Sequence, residues 1–384
     1  MDLTPSPQEE AYRNKVRAWL EANVPKPFDG EKSIENPDYV EYLRSWQRAQ
    51  AEGGWLGITW PEEAGGQGLG PTEQSIFNEE AAKATAPYLI GQVGVALIGP
   101  TIAMLGTPEQ KSHLSKILNC DEIWVQGFSE PNAGSDLGSL ACRAVRDGDH
   151  FIVNGQKTWT SYAQVSDWIF LLVRTDPDAS KYKGITCILV DMKSPGVDVR
   201  PLRMMSGDSV FNEVFFSDVK VPVENVLGEI DGGWKVAITA LMHERMNLGG
   251  SISVELSHFL TKVVEVARQR GLTDDPLVRQ KLAQATLDLE VFRMTSARVM
   301  SAVGKGQAPG PEGSILKLFW SNLNQWMVQT AHEIAGPYGQ LAPEEFGSLS
   351  YRYLRARGNS IEAGTDEVLK NTIANRVLGL PKSY

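Results

Sequence analysis

The sequence predicts a mainly α-helical protein wrapped around one central β unit. Three observations carry that prediction: the apolar period changes twice along the chain, turn residues punctuate the middle stretch, and long helical patterns fill both ends. The textures set the boundaries at 1–122 for an N-terminal helical domain, 123–230 for a middle β domain and 231–384 for a C-terminal helical domain. At 384 residues the chain exceeds what one compact core usually serves, so several packed units are expected.

In the first domain Val16, Trp19, Leu20 and Val24 recur at helical spacing, and Ser6 followed by Pro7 supplies a cap and a first-turn proline. The stretch "PEEAGGQGLGP" (61–71) has no Lys-Ser/Thr ending and no strand ahead of it, so it reads as a connecting loop and not as a phosphate loop. From 123 to 226 short β-branched and aromatic runs such as "DWIFLLV", "GITCILV" and "EVFFSDVKVP" predict strands, and Asn154-Gly155 predicts a tight hairpin turn. After "GEIDGGW" helices are expected near 232–270, 275–304, 312–336 and 365–378.

Composition excludes several function classes. With 42% hydrophobic and 22% charged residues, no apolar run reaches the roughly 18–20 residues that span a bilayer. The acidic, helix-patterned start predicts no export signal. Cys120, Cys142 and Cys187 are widely spaced and lack partners at ligand intervals, which predicts buried thiols, no metal site and a reducing, cytoplasmic location. A formal charge of −10 opposes nonspecific attraction to nucleic acid or anionic membrane, so an anionic ligand must be held by local donors.

Four motifs then occur in order: "WVQGFSEPNAGSDL" (124–137), "NGQKTWTSYAQVSDW" (154–168), "IEAGTDEV" (361–368) and "ANRVLGLP" (374–381). Together they resemble the acyl-CoA dehydrogenase family of flavoproteins over essentially the whole chain. The resemblance implies an N-terminal helical domain, a middle β-barrel-like domain, a C-terminal four-helix bundle and FAD between the last two. It implies α,β-desaturation of an acyl-CoA thioester, with reoxidation by an electron-transferring flavoprotein. Phe128 and Ser129 resemble the strand-end residues on the flavin ring, Trp159 and Ser161 the aromatic wall and the hydroxyl near flavin N5, Thr365 and Glu367 the loop that meets FAD, and Ser135 a residue beside the thioester. A planar apolar ring needs a stacking partner, and its heteroatoms need donors once water is excluded.

Many family members carry the base as the Glu of a "Tyr-Glu-Gly-Thr" stretch, but the matching position here is Ala363, and Glu362 is off by one residue. The other arrangement resembles isovaleryl-CoA and long-chain acyl-CoA dehydrogenases, whose glutamate sits in a "Glu-Arg" pair on a bundle helix. "ALMHERMNLGG" (240–250) puts Glu244 and Arg245 there, with Glu244 three residues after Leu241 and four before Leu248, at the border of an apolar stripe. Burial beside an apolar ligand would raise a carboxyl group's basicity. Glu244 is therefore read as the base, Arg245 as a substrate contact and His243 as a helix neighbour.

Two stretches depart from the family pattern. "ARQRGLTDDPLVRQKL" (267–282) lacks the Phe-Gly of an "Arg-x-x-Phe-Gly" run, and "EIAGPYG" (333–339) stands where "Gln-x-x-Gly-Gly" meets FAD across subunits. They leave a homodimer, a homotetramer and a heterotetramer open. Alternatives for function are a non-catalytic partner chain and a flavin enzyme acting on a carrier-protein thioester or a nitroalkane.

Overall fold

The computed structural model describes residues 5–246, 250–304, 310–341 and 349–381. The first region is helical: α1 (Pro7–Asn23), α2 (Pro37–Glu52), α3 (Pro71–Lys83), α4 (Gly99–Leu105), α5 (Pro108–Lys111) and α6 (Leu114–Leu118). Ser6 starts α1 as expected, its hydroxyl accepting from Glu9 N–H while the Glu9 carboxylate returns the bond to Ser6 N–H. The 61–71 stretch is a connection with a short 3-10 turn at Glu62–Ala64.

The middle region forms one eight-stranded sheet from β1 (Trp124–Gly127), β2 (Arg143–Asp147), β3 (His150–Ser161), β4 (Trp168–Arg174), β5 (Ile185–Asp191), β6 (Val197–Leu202), β7 (Phe211–Pro222) and β8 (Val226–Leu227). The path runs β6-β7-β3-β2-β4-β5-β8, with β1 pairing parallel to β4. On β4, Ile169, Leu171 and Val173 enter one core while Phe170 and Leu172 enter another, so both faces are covered. That double burial is why "WIFLLV" reads as a continuous apolar run instead of an alternating one. Burial pushes the thiols of Cys120 and Cys142 up to about 11 and that of Cys187 well above its ordinary value.

The hairpin expected at Asn154-Gly155 is not there. β3 runs straight through both residues, pairing with β7 on either side, Ile152 with Lys220 and Gly155 with Phe216, and a register shift marks a bulge. Gly155 is needed because of its φ of 149° and because a Cβ there would lie 2.6 Å from Cys142 Cα. The turn joining β2 to β3 is instead at Gly148, whose φ is 61°.

Helices α7 (Gly233–Met246), α8 (Gly250–Gln269), α9 (Pro276–Gly304), α10 (Gly313–Ala335), α11 (Leu349–Arg355) and α12 (Asp366–Thr372) complete the chain. The single helix expected over 232–270 is thus described as two elements, and α11 escaped the sequence reading. Helix α7 leaves the sheet through Gly233, where a Cβ would meet Cys187 N at 2.6 Å, and it seats Val236, Ala237 and Ala240 in the core shared with Phe170 and Leu172. Helices α8, α9 and α10 share a separate core built on Phe259, Leu289, Phe292, Leu323 and Met327. No described helix is long and apolar enough to cross a membrane.

Candidate active site

Strand β1 hands the chain to Phe128 and Ser129 at its end. The Phe128 ring is buried beside Phe170 of β4, centroids 5.7 Å apart, and the Ser129 carbonyl accepts from Thr158 N–H at 2.9 Å. Beneath this strand end lies Lys157, with 0% of its surface exposed. Its ammonium donates to the Phe128 carbonyl at 3.1 Å and to Glu130 Oε1 at 2.7 Å. The Glu130 carboxylate in turn accepts from Ala141 N–H (2.7 Å) and Cys142 N–H (2.9 Å). Both carboxylate oxygens thus have donors, Oε1 two and Oε2 one, the kind of compensation under which a buried ion pair is tolerated.

Two residues further along β3 the strand bulges. Lys157 pairs with Val214 and Thr160 with Asn212, so Thr158 and Trp159 together oppose Glu213 alone. Trp159 takes a left-handed backbone, φ 59°, a conformation that costs a bulky residue on the order of 1–3 kcal/mol. The bulge turns the indole outward: 59% of Trp159 is exposed, with an edge contact to Phe211 at 5.7 Å. Ser161 closes the strand opposite Phe211. The hydroxyls of Ser129 and Ser161 bond no protein group among the described residues.

The C-terminal segment approaches the same edge. Tyr351 of α11 donates to Asp208 Oδ2 at 2.8 Å, tying helix to β domain, and the Arg355 guanidinium sits 5.8 Å from the Phe211 ring. Phe211 thereby stands between Trp159 and the segment that carries the 361–368 loop. Glu362 is engaged by Arg355 Nη2 at 2.7 Å and by Asn359 Nδ2 at 2.6 Å. Ala363, at the family's loop-base position, is exposed with φ 52°. Thr365 caps α12, its hydroxyl accepting from Val368 N–H, and Glu367 is exposed on the first turn.

Under that loop is a second buried lysine. Lys317 of α10, 2% exposed, donates to the Gly364 carbonyl at 2.7 Å and lies 3.7 Å from Asp366 Oδ1. Asp366 also accepts from Ser321 Oγ at 2.9 Å and Asn322 Nδ2 at 3.1 Å. Burial pulls the Lys317 ammonium below the usual lysine range, with Asp366 opposing it.

The structure therefore gathers Phe128, Ser129, Trp159 and Ser161 along the ends of β1 and β3, and links them through Phe211 and Arg355 to the loop before Thr365 and Glu367. Ser135 stands apart, exposed in the loop ahead of the 3-10 turn Leu137–Ser139. Glu244 and Arg245 lie on the last turn of α7, and their side chains are outside the described residues. Sequence reasoning missed Lys157, Glu130, Lys317, Asp366 and Phe211. The readable signal was a lysine inside an apolar run, as in "ILKLFW" (315–320).

Comparisons with known proteins agree with this layout. Family models described as the acyl-CoA dehydrogenase N-terminal, middle and C-terminal domains match residues 6–119, 126–219 and 231–378. The chain is 37% identical over 379 residues to acyl-CoA dehydrogenase IpdE1 of Mycobacterium tuberculosis, covering 97% of this chain and 98% of that protein. Among solved structures it resembles the Tcur3481-Tcur3483 steroid ACAD (TM-score 0.89, 34% identity, 100% of both chains). It also resembles the ChsE4-ChsE5 complex from Mycobacterium tuberculosis (TM-score 0.83, 31% identity, 100% of both chains).

Proposed function

This chain belongs to the acyl-CoA dehydrogenase family, as an oxidoreductase, and we propose that it desaturates an acyl-CoA thioester with FAD, Glu244 taking the α-proton. The observation that carries the reading is the β3 bulge, which holds the Trp159 indole with more than half its surface uncovered beside two serines whose hydroxyls are free. A flat face with unengaged donors at its margin suits a planar ring bearing heteroatoms, so the residues fit a flavin. When bound, FAD supplies the acceptor for the hydride leaving the β-carbon, a role no side chain can fill. Phe128, Ser129, Trp159 and Ser161 would hold its ring system, and the Thr365 to Glu367 turn the rest.

For the base, Ala363 offers no carboxylate and Glu362 is already held by Arg355 and Asn359. Glu244 follows the buried Val236, Ala237 and Ala240 on a helix packed against the sheet. Arg245 and Ser135 are assigned to the thioester side. Purified protein should be yellow and bleach anaerobically with acyl-CoA. Glu244→Gln should keep flavin and ligand binding while slowing bleaching by roughly 10²–10⁴-fold. An unchanged rate would move proton abstraction elsewhere, and a colourless chain would favour a non-catalytic partner role. Reoxidation by an electron-transferring flavoprotein, in place of oxygen, separates this reading from nitroalkane oxidation, and use of free CoA esters separates it from carrier-protein chemistry.

A second chain of the same fold is the partner we assign. Leu287, Val291 and Met294 are exposed at i, i+4 and i+7 along α9, a stripe suited to another helix. The Tcur3481-Tcur3483 and ChsE4-ChsE5 structures are each named for two proteins. Native mass spectrometry of the chain alone distinguishes a homo-oligomer from a subunit that assembles only with its counterpart.

A further inference from the structure

Between the 55–60 loop, α3 and the π turn Gly94–Ile98 lies a cavity of about 70 Å³, closed on one side by His243 of α7. Among the described residues its polar lining comes from Gln50, Thr59, Gln74, Asn78, Gln92 and His243, none of them a carboxylate, a lysine or an arginine.

Gln50 is the telling member. It is 2% exposed, yet its side-chain amide bonds nothing among the described residues. Gln47, one turn earlier on α2, shows what a structural amide does there: Nε2 donates to the Ile117 carbonyl at 3.0 Å and Oε1 accepts from Gly91 N–H at 2.9 Å. The buried Trp55 Nε1–H, also in the lining, has no acceptor either. Gln74 and Asn78 satisfy one another through a single 2.9 Å bond, which leaves an amide oxygen and an amide N–H of that pair available. Buried polar groups are almost always paired, and several unengaged ones around one space point to a ligand that pairs them.

We propose that this cavity receives the far end of the acyl group and selects an uncharged hydrogen-bonding substituent there, a hydroxyl or a ring ketone, through Gln50 and Gln92. The inference rests on the acyl-CoA reading above and names the substrate class within it. His243 immediately precedes Glu244, so the cavity wall and the assigned base share one helical turn. Burial lowers the basicity of His243, which favours its uncharged form. A water needs about 10–15 Å³ on the same measure, so the space takes a few atoms, the end of an acyl group and not its whole length.

The test uses the FAD-loaded enzyme and a pair of alicyclic acyl-CoA esters that differ only in a ring hydroxyl at the far end. Anaerobic bleaching should favour the hydroxylated ester by about 10²-fold or more in kcat/KM, because its absence leaves the amides unpaired. Gln50→Leu, and separately Gln92→Leu in case the first variant fails to fold, should shrink that preference to about threefold or less by weakening the hydroxylated ester. The matching CoA thioethers, which undergo no desaturation, should show the same preference in calorimetric binding. Equal handling of the two esters, or a preference that both variants leave intact, overturns the proposal while leaving the dehydrogenase reading standing. If neither thioether binds and neither ester bleaches the flavin, the acyl-CoA reading fails and this proposal with it.

Discussion

Lys157 in the sheet and Lys317 in the helical bundle each donate to the carbonyl of a site loop, Phe128 in one case and Gly364 in the other, but they are held in different ways. Lys157 has a 2.7 Å ion pair to a carboxylate fixed by two backbone N–H groups. Lys317 has its carboxylate 3.7 Å away, and that carboxylate is shared with Ser321 and Asn322. The sheet side is thus a closed network, whereas the helical side keeps a partly compensated cation. One half of the site is therefore set by the fold, and the other is open to solution conditions.

The largest expected effect breaks the closed half. Lys157→Met strands the Glu130 carboxylate in the core and should cost about 3–5 kcal/mol, read as a fall in the urea midpoint together with loss of bound flavin. Lys317→Met should cost less, on the order of 1–3 kcal/mol, because Asp366 keeps Ser321 and Asn322 as donors. Its damage should be local, seen as faster proteolytic cleavage within 349–367 while the sheet stays protected.

The contrast sharpens with pH. The folded value of Lys317 is depressed, so the unfolded chain binds more protons, and its contribution to stability rises as pH climbs from the depressed value towards the ordinary 10.5. Tyr351 has the opposite sign. Burial first, then Asp208, raises its hydroxyl to about 12, so stability is lost as pH rises above the ordinary 10.0. Cleavage of the 349–367 segment should therefore slow as pH rises towards 10 and quicken above it, and the slowing should vanish in Lys317→Met. The smallest effect is Tyr351→Phe, about 0.5–1.5 kcal/mol for the lost bond to Asp208, with the alkaline quickening reduced.

The sequence of helices, strands and helices was legible because the apolar period reports burial directly, and the α1 cap was legible because it is local. The lysine anchors were not. Lys317 and Gly364 are 47 positions apart, and nothing in either neighbourhood announces the other. Asn154-Gly155 misled because its turn preference is local, whereas pairing with β7 on both sides, together with the close approach of Cys142, holds the strand straight. Phe211 escaped notice because a strand phenylalanine looks like core until Trp159 and Arg355 are placed on either side of it.

The three cysteines have a practical consequence. Cys142 and Cys187 serve the two cores on opposite faces of the sheet, and every one of the three thiols is sealed and protonated at neutral pH. A maleimide reagent must wait for the molecule to open before it reacts, so mass-resolved alkylation of the untouched protein times the breathing of each face without any introduced probe.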